Sequence, residues 1–479
     1  MGTDTSAGTL ADTVAALWRD VVAEPAPPVT FEGDEHVLPG PYRVAHAAAA
    51  AVAATTLAAA ELVGERGGNL PPTSIHIGHA AEAFRSERHI RVAGAEAGGL
   101  WASLSGDHRA ADGWVRLHAN YRHHADAILR ALGVPADEVA ATVAVRPAVD
   151  VEDAILAAGG AAAALRDRAG WLTDGPGTAV RAEPLVAIER IGDAPPRPLP
   201  PLNRALPDRF LAEQALADRS APEAVLAVWT LTDHALAGLR VLDLTHVIAG
   251  PVATRTLAAH GADVLHVTDP HRPVLHRLVM DTDFGKRSCH VDLDTEAGRA
   301  ALRELVERAD VFVQSYRPDS LARRGFGPAD LARTAPGIVV VSVAAYGHTG
   351  PWRERRGFDS LVQMSCGIAA AGGLDEPRPL PAQALDHGTA WLAAFGALTA
   401  LRRRAREGGS WHVRVSLART AEWLHDLGRD PTPPTETDVT DLLREVDSDY
   451  GRLAYLPVPG ARRRLAGPRR PGNDPATWW

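Results

Sequence analysis

The chain has 479 residues, 46% hydrophobic and 23% charged, with a formal net charge of −9. That is enough apolar material for two or three folded domains, and it excludes a low-complexity or disordered protein. Acids and bases are interspersed, which leaves no basic face for nucleic acid; the two cysteines, Cys289 and Cys366, are too few for a disulfide framework, lack metal-ligand spacing and fit a reducing, cytoplasmic setting.

The opening MGTDTSAGTLADTV lacks a basic segment followed by an apolar one, so no signal peptide is expected. Leu10, Val14, Leu17 and Val21 recur at helical spacing. The run from Val44 to Val63 approaches the roughly 20 residues needed to span a bilayer. Its alanine content, with His46, Thr55, Thr56 and Glu61, reads instead as a buried helix, and no membrane partner is expected. Gly67 and Gly68 end it, and SIHI follows as a strand. WVRLH then reads as a strand, leading into a helix closed by Gly133; residues 151 to 169 read as a helical run and 184 to 191 as a strand. In PPRPLPPLNRALP the repeated Pro blocks both helix and interior strand. The expected division is an N-terminal region over 1–200, a Pro-rich linker and helical bridge over 201–236, a large domain over 237–430 and a tail over 431–479.

Beyond the linker the pattern alternates regularly. LRVLDL, ADVLHV, RSCHVDL, ADVFVQSY and GIVVVSVAAYG read as strands, with helices at VATRTLAAHG and at TEAGRAALRELVERA, the latter capped by Thr295. This predicts an α/β fold with an open, doubly wound, mostly parallel sheet of Rossmann-like type, whose ligands bind at the carboxyl ends of the strands. The smaller α/β unit is expected before it in the chain. At an offset of 341 the helix ending at Gly67-Gly68 overlays the one ending at Gly408-Gly409, so His46 falls on His387 and Ala45 on Asp386.

LDLTHVIAGP (242–251) reads as strand, loop and Pro-started helix, which either directs free amides at an anion or is an ordinary βα turn. The cation pairs Lys286-Arg287 and Arg323-Arg324, and the run Arg353 to Arg356, suit either phosphate or solvent. His118, His123, His124 and Asp126 lack a recognised metal spacing. There is no GxGxxG, P-loop or GxSxG motif. In ALDHGTAWLAAFGALTAL, Asp386 stands at a helix start, where it either caps free amides or is kept ionised as a nucleophile.

Four segments in order, LRVLDLTHVIAGPVATRTLAAHGADVLHV, GKRSCHVDLDTEAGRAALRELVERADVFVQSYRPDSLARRGFG, IVVVSVAAYGHTGPWRERRGFDSLVQMSCG and ALDHGTAWLAAFGALTALRRRAREGGSWHVRVSL, resemble the family III CoA-transferases, the group of formyl-CoA and carnitine CoA-transferases and 2-methylacyl-CoA racemases. The resemblance covers about residues 237–425. DGWVRLHANYRHH is similar to that family's small-domain segment, which there follows the large domain; here it precedes it, as in a permuted or fused, truncated copy.

The resemblance implies that Asp386 is the catalytic Asp. It further implies that His246, Val247 and Ala249 line a CoA site, that Lys286 and Arg323 lie near the nucleotide phosphates, and that Ser315, Tyr316 and Arg356 also bind CoA. Coenzyme A is then part of the substrate, with no tightly bound cofactor or metal, and the partners are an acyl-CoA and a carboxylic acid in a homodimer. Ile248 replaces a Gln of the formyl-CoA enzymes. Phe358, where the racemases have His, cannot carry a proton, so a racemase-like isomerase is the weaker alternative. A non-catalytic CoA-binding protein is the third. Amides near Gly388 or in the Val247 to Gly250 loop are candidates to stabilise an oxyanion.

Overall fold

The computed structural model describes residues 9–68, 72–173, 175–202, 234–430, 432–435, 437–461 and 463–478. The helical bridge expected near 202–236 lies almost wholly outside the described residues.

Seven strands build the main sheet: β1 (Ala187–Gly192), β2 (Arg240–Leu244), β3 (Asp263–Thr268), β4 (Lys286–His290), β5 (Val311–Gln314), β6 (Val339–Ala344) and β7 (Ser410–Ser416). Their order is β4-β3-β2-β5-β6-β7-β1, and all neighbours are parallel except β7 with β1. The parallel strands therefore run outward from β2 in both directions, as in a doubly wound sheet, with the switch point between β2 and β5. Valine-rich runs suit strands buried on both faces, and side-chain alternation sorts them. Val241, Val311, Val313, Val339 and Val341 enter one apolar core, while Leu242, Leu244, Leu265, Phe312 and Val340 enter the other.

The first core is packed by α1 (Leu10–Val22), α2 (Val44–Glu65), α3 (Ala249–Ala259) and α5 (Ala384–Glu407); α4 (Asp359–Ser365) precedes α5, and α6 (Leu417–Asp426) follows β7. Helix α2 is long and apolar enough to cross a membrane, yet 89% of its most apolar window is buried inside the protein. Its alanines let it lie close along α5, where Thr55 Oγ1 donates to the Trp391 carbonyl at 3.0 Å.

A separate small sheet joins Gly106–Arg109, Trp114–Leu117 and Ala162–Ala164 in antiparallel pairs, with the helices Arg122–Leu132 and Ala148–Ala157 supplying its core. The continuous helix expected over 151–169 is not formed: it ends at Ala157, and Gly159 turns the chain at φ +84° into the third strand. Edge strand β1 comes from before the Pro-rich linker yet completes the sheet built after it.

Two stretches share one local geometry. Arg43, before α2, has φ −78° and ψ 59°, and Gln383, before α5, has φ −77° and ψ 59°. Each long helix leads to a strand paired in parallel with an earlier one, Thr73–His76 with Val29–Glu32 and β7 with β6. Each of those strands runs directly into a helix capped by a side chain, His76 accepting from the His79 amide and Ser416 from the Arg419 amide. The separation is 340 positions in both cases, one less than the sequence overlay suggests, so His46 and not Ala45 matches Asp386.

Candidate active site

Asp386 does not cap its helix. The residue before α5 is Gln383, with no side-chain cap, and Asp386 is the third residue of the first turn. The cap is Asp359, the first residue of α4, whose Oδ2 accepts the Leu385 and Asp386 amides at 2.8 and 2.9 Å while Oδ1 accepts from Gln363 Nε2. The Asp386 side chain is 7% exposed, and among the described residues nothing donates a hydrogen bond to its carboxylate.

Burial, then the charges of Asp359 and Glu87, push the Asp386 carboxyl well above its ordinary value. This corrects the expectation that the helix start keeps it ionised. A helix terminus favours a carboxylate by about 0.3–1 kcal/mol, less than the ~1.4 kcal/mol of a single pKa unit, so the helix cannot offset the burial. Asp359 is also raised, to about 6, by burial, against the downward pull of the amides it accepts and of Gln363.

The turn Ser86–Arg88 reaches the same place from the N-terminal half. Glu87 Oε2 lies 3.1 Å from His387 Nε2, and both side chains are buried. Phe84 stacks on the His387 ring at 5.9 Å between centroids. Gly388 lets the helix lie close to Thr420, since a Cβ there would stand 3.0 Å from the Thr420 side chain. Gly388 is also the fifth helical residue, past the free amides of the first turn, so it does not offer the oxyanion donor expected of it.

At the switch point the structure brings four of the expected residues together. The His246 amide donates to Ser315 Oγ at 3.2 Å, and His246 Nε2 lies 3.1 Å from the Tyr316 hydroxyl. Burial lowers the His246 pKa to about 4 and raises that of Tyr316. Val247 is held at φ +72°, in the left-handed region that a β-branched residue avoids, a strain of about 1–3 kcal/mol that clusters at functional sites. Ala249 opens α3, and Gly250 is required behind it, because a Cβ would stand 2.3 Å from Thr245.

Lys286 is not placed to meet a phosphate. Its Nζ is fully buried, within 2.9 Å of Asp243 Oδ2 and of the Pro251 carbonyl and 3.4 Å from Asp283. On β4 the side chain at 286 turns inward and ties the start of α3 to the sheet, so its role is structural. Arg323 is exposed on the turn Ala322–Arg324 after β5, while Arg324 pairs with Asp294 at 2.6 Å. Arg356 is half-buried and donates to the Gly159 carbonyl at 2.8 Å, tying the large sheet to the small one. Sequence reasoning missed Arg272 and Tyr121, which line the cleft beside His246 and Val247; Arg272 lies over the Tyr316 ring at 5.6 Å.

Phe358, directly before α4, lies flat against His118 at 3.7 Å between ring centroids, with Tyr121 and His124 around it. Burial lowers the pKa of His118 to about 3 and of His124 to about 4. These imidazoles form part of an aromatic cluster, and among the described residues no group of three or more His, Cys, Asp or Glu is arranged to hold a metal.

Residues 236–427 match the family model described as CoA-transferase family III. An acetyl-coenzyme A transferase, nodX, of Hypoxylon pulicicidum is 38% identical over 233 residues, which are 46% of this chain and 39% of that protein. A formyl-CoA:oxalate CoA-transferase of Streptomyces coelicolor is 32% identical over 39% of this chain and 48% of its own length. A crystal structure of a hypothetical protein from Mycobacterium tuberculosis is 32% identical, with a TM-score of 0.38 over 40% of this chain and 56% of that one. The chain thus spans about half or less of the length of the curated relatives it matches.

Proposed function

We propose that this chain, whose residues 236–427 belong to CoA-transferase family III, moves CoA from an acyl-CoA thioester to a carboxylic acid, with Asp386 as nucleophile. The observation that carries this reading is the state of Asp386. Buried carboxylates are normally paired or hydrogen-bonded, whereas among the described residues this one is neither, while the amides beside it are held by Asp359. A side chain left without a partner, on the helix that resembles the family's catalytic one, is available to a substrate.

In the proposed sequence the Asp386 carboxylate attacks the thioester carbonyl; the C–S bond breaks, giving a mixed acyl-aspartyl anhydride and CoA thiolate. The thiolate attacks the aspartyl carbonyl, releasing the donor acid and leaving aspartyl-CoA. The acceptor carboxylate then displaces CoA to form a second anhydride. Return of the thiolate to the acceptor carbonyl yields the new acyl-CoA and restores Asp386. Only an anhydride keeps the acyl group active enough to re-form a thioester. The strained loop at Val247 and the clefts at the carboxyl ends of β2 and its neighbours support CoA binding near the switch point, with Arg272, Arg324 and Tyr316 as cations and aromatic surface at the rim. Amides of the Val247 to Gly250 loop are the remaining candidates for the oxyanion, each worth about 3 kcal/mol in a formed hole.

The same reading treats residues 29–83 as a second, degenerate copy of the unit that ends in α6, fused ahead of the first, with the small sheet between them. The packing of α2 along α5 and the common geometry before both helices support it. One chain then supplies what two copies share in a homodimer, and a solution mass of one chain is expected by light scattering. The function is tested by incubating the chain with a panel of acyl-CoAs and hydroxylamine: a hydroxamate on the peptide carrying Asp386 is expected. Turnover that leaves Asp386 unmodified, or an unreactive chain across the panel, overturns the assignment.

A further inference from the structure

We infer that Glu87, carried by the N-terminal half, is a positioning residue for Asp386: through His387 it fixes the first turn of α5 and presents a second fixed charge to the Asp386 carboxylate. The inference deepens the transfer reading and rests on it.

The segment around Glu87 is held from every side. Glu82, fully buried, is bound by Arg85 at 2.6 Å and His89 at 2.8 Å. Ser86 Oγ donates to Asp281 Oδ2 at 2.7 Å and receives Arg255 Nη2 at 3.2 Å, and Arg255 itself pairs with Asp281 at 2.7 Å. Because Arg255 lies on α3, the turn is wedged between the helix that leaves the switch point and the helix that carries Asp386. Phe84 adds its stack on His387.

The central contact is chosen against stability. Replacing a buried ion pair with apolar groups is often neutral or stabilising, and here Glu87 Oε1 and His387 Nδ1 find no partner among the described residues. Burial, the largest single influence, opposes ionisation of Glu87, but the His387 hydrogen bond and charge, the backbone amide of Glu87 and the charge of Arg88 together hold the acid below its ordinary value, so Glu87 is a carboxylate that accepts from His387 Nε2. Two acids from two different elements, Asp359 and Glu87, then face Asp386. On the other elements packed against α5 the charges are spent elsewhere: Arg255 on Asp281, His46 on Glu35, and Glu422 on Arg168 and Arg181, while His425 meets the Cys366 carbonyl. A carboxylate whose negative charge is opposed in this way binds a proton, and attacks a carbonyl carbon, more strongly than a solvated one.

Glu87→Gln keeps the size and the acceptor for His387 but removes the charge. The experiment follows the Asp386 side-chain carbon by 13C NMR in aspartate-labelled protein, assigned against Asp386→Asn, alongside the pH profile of kcat/KM with an acyl-CoA and an acceptor acid. In Glu87→Gln the Asp386 midpoint is expected to fall by about one unit and the acid limb to move down with it. The maximal kcat is expected to fall about tenfold with KM changed less than about twofold. A midpoint and acid limb matching the wild type overturn the inference. If the wild type turns over no acyl-CoA, the NMR midpoint still decides the role of Glu87, while the transfer reading falls by itself. If Glu87→Gln does not fold, Glu87→Asp, which keeps the charge on a shorter arm, is expected to lower kcat with the acid limb unmoved; a wild-type kcat in that variant overturns the inference.

Discussion

Helices α2 and α5 begin alike and end up with opposite chemistry. Each starts from a residue with the same unusual backbone angles, packs along the other and feeds a parallel strand, yet their third residues are His46 and Asp386. His46 has both ring nitrogens engaged, Nδ1 2.6 Å from Glu35 and Nε2 2.8 Å from Thr13 Oγ1. Among the described residues the Asp386 carboxylate has no partner, and it feels the charges of two further acids, Asp359 and Glu87. One position is finished by the protein itself, and the other is left for something the protein lacks. The comparison gives a working criterion: at equivalent buried sites, satisfaction marks structure and its absence marks function.

The largest expected effect breaks that symmetry directly. Asp386→Asn is expected to lower kcat at least about a thousandfold and to abolish the hydroxamate, because it removes the proposed nucleophile. His46→Ala, which leaves Glu35 without its ring partner, is expected to lower Tm while the folded chain transfers CoA within about twofold of the wild type and traps one equivalent. Loss of trapping in the folded His46→Ala chain would mean that the start of α2 also takes part in the transfer.

Next in size is Asp359→Ala. It frees the Leu385 and Asp386 amides, a cap loss of about 1–2 kcal/mol, and removes an acid facing Asp386. An activity loss of about 10- to 100-fold, most of it in kcat, is expected from a slackened first turn. Among the described residues no side chain accepts the Ala45 or His46 amide as Asp359 accepts those of Leu385 and Asp386, and an unchanged kcat would show that the cap is merely structural.

The division between what was legible and what was not follows the range of the interactions. Strands β2 to β6 were legible because parallel strands alternating with helices are written as short, mostly apolar runs, and Asp386 because it stands at a long helix; β7, SWHVRVS, alternates apolar and polar residues and was not among them. Asp359 was not: an acid opening a short helix looks like any first-turn carboxylate, and its target lies 26 and 27 residues on. Glu87 sits in a charged run, SERH, 300 positions before His387, where a solvated turn is the natural reading. Lys286 misled for the reverse reason. Beside Arg287 it resembles a phosphate clamp, and only its buried partner Asp243, 43 positions earlier, distinguishes it. The one-residue error in the repeat has the same origin, since an alanine run carries no landmark, whereas the turns before and after it do.

A third, smaller effect appears in the pH dependence of stability. The folded pKa of Asp386 is raised, so the native state binds its proton more tightly than the unfolded chain does. The stabilisation is fully present below the unfolded value of about 3.9 and is lost as pH rises through the folded value. Asp386→Asn removes the penalty of ionising a buried acid. Its Tm is expected to match the wild type at pH 4 and to exceed it by about 2 °C or more at pH 8, read by differential scanning calorimetry. A Tm difference that does not change with pH would mean that the carboxylate is solvated.

The smallest effect belongs to α2 and has the opposite sign in pH. Burial lowers the His46 pKa, while Glu35 pulls it up and Arg43 pushes it down, so stability from this site is present above about 6.5 and is lost as pH falls below it. Glu35→Gln withdraws the upward pull and lowers the folded pKa further. Its Tm is expected to lie within about 1 °C of the wild type at pH 8 and about 2 °C below it at pH 5.5, with kcat and its acid limb unmoved. Glu35 and His46 are an acid and an imidazole in contact beside the first turn of a long helix, as are Glu87 and His387. If Glu35→Gln shifted the acid limb as Glu87→Gln is expected to, contact of that kind would be enough to tune catalysis wherever it occurs in this fold. An unmoved limb would show that the tuning depends on the unpaired carboxylate one residue before His387.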